Sequence, residues 1–360
     1  MDTNRLWIHK ALTCLEREAL RSADTHLLRL DLPPFPGISF YLKDEASHPS
    51  GSLKHRLARS LFLYALCNGR LREGQVVVDA SSGSTAISEA WFARLLSLPF
   101  VAVMPEQTAA AKITAITALG GRCLLLPPGE RCAPFARQWA ETEGACYLDQ
   151  FGLAERATDW RGNNNIAESI LRQMALEAHP EPRYVVCGAG TGGTSATIGR
   201  YLRYRRLRTA LCVAEPTGGA FAEGFRTRSR DAVQTRPSII EGIARPQVES
   251  GFLFDIVDLV EEINDVDSIA GMRFLESALN RRWGGSSGCS FVAAIRLARG
   301  MRAAGQQGSI VLLLCDEGDR YADTLYDAGW LHAHGYDLAA ASVRLHELIG
   351  GDANDVADAH

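Results

Sequence analysis

The sequence predicts an α/β protein made of two three-layer αβα lobes, each built on a mostly parallel, twisted sheet. Two observations carry this. Short apolar runs of strand length alternate with helix-length amphipathic segments along most of the chain. The 360 residues, 46% of them hydrophobic and 22% charged, supply enough apolar side chains for more than one core.

The elements follow in order. Runs at 38–42, 76–78, 100–104, 123–126, 184–187, 210–214 and 310–315 read as buried parallel strands. Helical patterns lie at 55–68, 85–96, 109–119, 165–178, 195–206, 267–282 and 290–303. Such alternation puts helices on both faces of a sheet. The polar stretch 218–238 is expected to be a long surface loop, and the small, acidic C-terminus a flexible tail.

Composition excludes several functions. A net charge of −4 leaves no electrostatic footprint for nucleic acid or an anionic membrane. The N-terminal residues lack the apolar core of a signal peptide, and no later stretch is apolar for the length of a membrane span. Nine scattered cysteines without a C-x-x-C pair suggest neither a metal site nor a disulfide framework. A reducing cytoplasm is the expected compartment.

Chemistry is expected where strands run into helices, because ligands of open α/β sheets bind at the carboxyl ends of strands. The first such junction is Pro49-Ser50-Gly51-Ser52-Leu53-Lys54-His55-Arg56. A lysine in a Ser/Gly loop is most often a solvated surface residue; to form an imine it needs a held cofactor and a depressed pKa. A second junction, Gly188-Ala189-Gly190-Thr191-Gly192-Gly193-Thr194-Ser195, offers a phosphate cradle. Glycines admit close backbone approach, and a helix N-terminus adds free N–H donors and a favourable dipole. Gly188, Gly190 and Gly193 also satisfy the G-x-G-x-x-G dinucleotide pattern, with Glu215 where a ribose-binding acid would lie. Locally, then, a dehydrogenase competes. The third junction, Asp79-Ala80-Ser81-Ser82-Gly83-Ser84-Thr85-Ala86, has hydroxyls at a helix start that suit a carboxylate; ordinary capping by serine is the plain alternative. Capping is also the default for Gly284-Gly285-Ser286-Ser287-Gly288-Cys289.

Taken in this order and spacing, the lysine loop, hydroxyl loop, glycine cradle and late Gly-Ser-Ser-Gly resemble the cysteine synthase and cystathionine β-synthase family. The resemblance extends over Gln150-Phe151, Glu241-Gly242-Ile243 and Cys315-Asp316-Glu317-Gly318-Asp319-Arg320-Tyr321. It implies the type II pyridoxal phosphate (PLP) fold of the tryptophan synthase β-subunit, with PLP as cofactor and no metal. Domain boundaries are expected accordingly. An N-terminal segment, 1–49, packs on the large lobe; 50–164 forms the smaller, substrate-side lobe. The larger lobe, 165–345, binds the cofactor phosphate, and 346–360 is the flexible tail.

By position, the resemblance makes Lys54 the Schiff-base lysine and general base. Gly190, Thr191, Gly192, Gly193 and Thr194 match the phosphate loop, and Ser286 the partner of the pyridine nitrogen. Ser81, Ser82, Ser84 and Thr85 fall on the loop that grips the substrate carboxylate, with Gln150 as their partner in that grip. Two positions depart from the family pattern. Its asparagine near the cofactor's 3′ oxygen is Ser84 here, and the last glycine of its Gly-Ile-Gly loop is Ala244. Ser-Ser-Gly-Ser-Thr looks like the branch described as L-cysteine desulfhydrases.

The expected reaction is therefore β-elimination on L-cysteine, giving sulfide, pyruvate and ammonia. The alternatives are a cysteine synthase joining O-acetylserine and sulfide, or another β-replacement on serine or cysteine. A catalytically quiet protein that binds PLP or an amino acid for regulation is the alternative of a different class. The resemblance also implies a homodimer.

Overall fold

The computed structural model describes residues 3–22, 24–162 and 165–350. Helix α1 (Thr3–Arg21) leads into strands β1 (His26–Leu30) and β2 (Ile38–Asp44) and helix α2 (Lys54–Cys67). Then come β3 (Val77–Ala80), α3 (Ser84–Leu95), β4 (Phe100–Pro105), α4 (Ala110–Ala118), β5 (Arg122–Leu126) and α5 (Cys132–Glu143). They are followed by β6 (Cys146–Tyr147), α6 (Gln150–Ala157), α7 (Ile166–Met174), β7 (Tyr184–Gly188), α8 (Gly193–Tyr204), β8 (Ala210–Pro216) and α9 (Ala220–Thr227). The chain closes with β9 (Leu259–Ile263), α10 (Asp265–Leu279), α11 (Gly285–Ala303), β10 (Gly308–Leu314), α12 (Ala328–Ala333) and α13 (Leu338–Ile349).

These elements form two compact units. Among the described residues, the first comprises those up to 24 together with 48–159, the second 25–47 and those from 160 to 350. In the first, four parallel strands are ordered β5-β4-β3-β6. Side chains alternate across this sheet. Val77, Phe100, Ala102 and Met104 join the core formed with α2 and α3, whereas Val78, Ala80, Val101 and Val103 pack with residues of α5. Both faces are therefore dry, which is why these strands read as unbroken apolar runs.

In the second unit, six strands are ordered β1-β2-β10-β7-β8-β9, and only the β1–β2 pair is antiparallel. Leu312 and Leu314 of β10 and Phe40 and Leu42 of β2 pack with α11, α10 and α13. Gly288 sets the α10–α11 approach, since a β-carbon there would lie 1.9 Å from the Ser268 carbonyl oxygen. The expected α/β class with mostly parallel sheets is what the chain adopts.

Several boundaries differ from those expected. Segment 1–49 is shared between the units. Helix α1 packs on α2 in the first unit, while β1 and β2 complete the sheet of the second. The strands follow their hydrogen-bonding partner β10; the helix follows its apolar stripe. Within 218–238, expected as loop, residues 220–227 form α9, whose Phe221 is buried. In the expected tail, 346–349 complete α13, and 351–360 lie outside the described residues. No helix among the described residues is long and apolar enough to cross a membrane.

Candidate active site

The residues expected to act fall in both units. In the first unit, Lys54 is the first residue of α2. The loop before it turns at Gly51, whose φ of +72° suits glycine, and Ser52 Oγ accepts the Lys54 backbone N–H at 3.3 Å. Lys54 is half-buried, but its neighbour His55 is wholly buried. The His55 ring is held at both nitrogens, with Nε2 3.0 Å from Glu18 Oε1 and Nδ1 3.0 Å from Ser50 Oγ. Ser50 Oγ lies 2.8 Å from Ser88 Oγ, and Ser88 donates to the Ser84 carbonyl at 2.9 Å. A buried hydrogen-bond chain thus joins α1, the lysine loop and the start of α3.

Burial holds the His55 imidazole down at about 4, so at neutral pH it is uncharged. Burial works against the Glu18 charge as well. Its hydrogen bond from His55 and the Arg59 guanidinium, 2.9 Å away, outweigh that cost and hold the carboxyl at about 2. The neutral ring therefore donates Nε2–H to Glu18 and accepts from Ser50 at Nδ1.

The hydroxyl loop follows β3. Ser81 Oγ accepts from the backbone N–H of Gly83 at 3.4 Å and of Ala86 at 3.2 Å, so this serine does cap the helix start. Ser84 does not: it is the first residue of α3, and the N-cap position belongs to Gly83. Ser82 and Ser84 are half-buried and Thr85 is buried. Gln150, the first residue of α6, is tied to this loop, because its side-chain amide donates to the Ala80 carbonyl at 2.9 Å. The structure thereby ties Gln150 to the strand end that leads into the four hydroxyl residues.

In the second unit, β7 runs through Gly188 into Gly190, Thr191 and Gly192, and α8 begins at Gly193. Gly192 has φ +82°, and a β-carbon there would lie 2.3 Å from the carbonyl carbon of Gly251. The turn is therefore closed to any side chain at that position. Among the described residues, the backbone N–H groups of Thr191, Gly192, Thr194 and Ser195 meet no protein acceptor. Four donors at one helix start form a cradle for an oxyanion of phosphate type.

The dinucleotide alternative weakens at Glu215. Its carboxylate caps α9, accepting from the N–H groups of Phe221 at 3.0 Å and Ala222 at 2.6 Å. Burial, opposed by those two bonds, raises its pKa to about 7. A carboxylate spent on a helix start is not offered to a ribose.

Ser286 is the second residue of α11, 5% exposed, and its hydroxyl forms no hydrogen bond among the described residues. The capping expected for this stretch is absent, since the N-cap is Gly284 and no side chain bonds there. The serine beside it is spent otherwise, as Ser287 Oγ accepts the Cys315 N–H at 2.9 Å. A buried hydroxyl without a protein partner fits a ring nitrogen. Together, the donor cradle and this hydroxyl fit PLP. Ala244, where the family pattern has glycine, keeps the left-handed backbone with φ +57°.

Sequence reasoning assigned no role to Glu18, Ser50, His55, Ser88 or Glu89. The available signal was Glu89, a lone acid in α3 among Ala86, Ala90, Phe92 and Ala93, a helix apolar nearly all round.

Residues 20–316 match the family described as pyridoxal-phosphate dependent enzyme. The chain is 52% identical over 349 residues to L-cysteine desulfhydrase Cds1 of Mycobacterium tuberculosis, covering 96% of this chain and 95% of that protein. It is 29% identical over 306 residues to a probable cysteine synthase of Bacillus subtilis, covering 84% and 94%. Among solved structures, O-ureido-L-serine synthase superposes with a TM-score of 0.74 at 27% identity, covering 84% of this chain and 92% of that one.

Proposed function

This chain belongs to the pyridoxal-phosphate-dependent enzyme family, and we propose that it is a carbon–sulfur lyase that releases sulfide from L-cysteine, leaving pyruvate and ammonia. The observation that carries this reading is its likeness, over nearly its whole length, to the mycobacterial L-cysteine desulfhydrase.

Bound PLP supplies an electron sink for negative charge at the substrate's α-carbon. The chain's residues do the rest. Gly190, Thr191, Gly192, Gly193 and Thr194 hold the phosphate through backbone N–H groups and threonine hydroxyls. Ser286 donates one neutral hydrogen bond to the pyridine nitrogen. Ser81, Ser82, Ser84, Thr85 and Gln150 grip the carboxylate of the amino acid. Lys54 would hold the cofactor through its side-chain amine, and that amine, once free, would be the base that takes the α-proton of the substrate. The electron pair left at the α-carbon would form the Cα=Cβ bond as the C–S bond breaks and sulfide departs, and water would hydrolyse the imine of the released product to pyruvate and ammonia. A cytoplasmic homodimer is part of the proposal, and nine free thiols suit a reducing compartment.

One incubation series tests it. Holoenzyme given L-cysteine is expected to yield sulfide and pyruvate in equal amounts, and Lys54→Ala to yield neither. Given O-acetylserine and sulfide, the protein should make cysteine more slowly than it destroys it. The reverse ranking would make it a cysteine synthase. No turnover in either assay would make it a PLP-binding regulatory protein.

A further inference from the structure

Beneath the hydroxyl loop two carboxyl groups are buried without any exposed surface, Asp79 on β3 and Glu89 on α3. Asp79 ties two elements together. Its Oδ1 accepts the Ala80 N–H at 2.7 Å, and its Oδ2 accepts the Gln150 N–H at 3.1 Å. The Gln150 side chain returns a bond to the Ala80 carbonyl. The residue leading into the hydroxyl loop and the residue opening α6 are thus held in one register.

Among the described residues, no N–H or hydroxyl donates a hydrogen bond to Glu89. The Asp79 carboxylate interacts with it and, when ionised, has no proton to give, so a hydrogen bond between the two needs a protonated Glu89. Burial first, and then the Asp79 charge, push Glu89 well above the ordinary carboxylate range. Burial also raises Asp79, to about 6, against the bonds from Glu89, Ala80 and Gln150. Asp149, the Tyr147 phenol and the Cys146 thiol are the other titratable groups close to Asp79. Burial and the Asp79 charge thus favour a protonated Glu89, which can donate to an ionised Asp79.

We propose that Asp79, backed by Glu89, is a positioning residue that fixes Gln150 against the 81–85 loop and so sets how tightly the substrate carboxylate is held. The proposal rests on the assignment of that loop and Gln150 to the carboxylate. Two N–H donors need two acceptor oxygens, and an asparagine would turn its own NH2 onto one of them.

Asp79→Asn holoenzyme is therefore expected to show a KM for cysteine raised about tenfold, with kcat within about twofold. Inhibition by 3-mercaptopropionate, which keeps the carboxylate and lacks the amine, should weaken in parallel. Inhibition by cysteamine, which lacks the carboxylate, should not change. An unaltered KM, or equal weakening of both inhibitors, overturns the proposal. Gln150→Ala separates it from its premise. If that variant binds cysteine and 3-mercaptopropionate as wild type does, the grip assignment is wrong and the proposal falls with it. If Gln150→Ala weakens both while Asp79→Asn does not, only the positioning role is lost.

Glu89→Gln covers failure of Asp79→Asn to fold, since its amide replaces the carboxyl proton permanently. Its KM at neutral pH should stay within about twofold of wild type. The alkaline rise in KM expected when wild-type Glu89 ionises should vanish. The same rise in the variant overturns the proposal.

Discussion

Ser84 opens α3, and its neighbours already supply that helix start: Gly83 is the N-cap, and the Ser81 hydroxyl accepts two N–H groups of the turn. A change at Ser84 therefore leaves the capping intact, and under the proposed role of this loop it acts on the reaction. The longer asparagine amide would fill space that a serine leaves to water beside the reacting β-carbon. Ser84→Asn is expected to move the ratio of cysteine synthesis to cysteine breakdown towards synthesis by about tenfold, or about 1.4 kcal/mol of differential barrier. Product ratios at matched cofactor occupancy check this, and an unchanged ratio refutes it. At this scale the sequence was legible wherever a motif fixed a residue's backbone, as at Gly192. It misled at Glu215, where spacing suggested a ribose and the fold placed the N-terminus of α9 within 3.0 Å of the carboxylate.

Helices α1 and α2 are joined by an ion pair as well as by apolar contact. Glu18 and Arg59 are nearly buried, and the same carboxylate holds His55. Glu18→Gln leaves Arg59 without that counter-charge and is expected to cost about 3 kcal/mol in urea unfolding. Both Glu18 and His55 also shed stability in acid. An unfolded chain binds the His55 proton near 6.5, the folded one only at about 4; for Glu18 the values are 4.5 and about 2. The unfolded state thus binds more protons throughout, and stability falls as pH drops from 6.5 towards 2. His55→Asn should remove the loss between 6.5 and 4 while keeping the loss below it. Urea midpoints across that range measure both. Helix α1 was missed at sequence level because its buried face is only Ala11, Leu15 and Glu18. A glutamate in an apolar stripe reads as solvated until its partners are known.

The distribution of thiols over the molecule makes its two cores separately observable. Cys146 lies in the first unit, and Cys187, Cys212, Cys289 and Cys315 in the second, all five buried and outside any disulfide. Burial pushes Cys146 up to about 11 and Cys289 to about 12, which suppresses the reactive thiolate. A thiol reagent is expected to modify exposed Cys67 first in the native protein and to reach these five only on unfolding. Rapid native labelling of any of the five would contradict the packing described. Taken whole, the sequence by itself determined the class of fold, most strands and the ordered loops, because apolar periodicity and glycine-bearing turns are local properties. The ordered lysine loop, hydroxyl loop and glycine cradle also pointed, through the family they resemble, to PLP as cofactor. Only the tertiary structure decided that β1 and β2 join the sheet of the second unit, that Glu215 caps a helix, and that Asp79, Glu89 and Gln150 meet. Those outcomes depend on which distant groups share a buried, low-dielectric space, where each donor must find its acceptor, and a linear pattern of residue types carries no record of that.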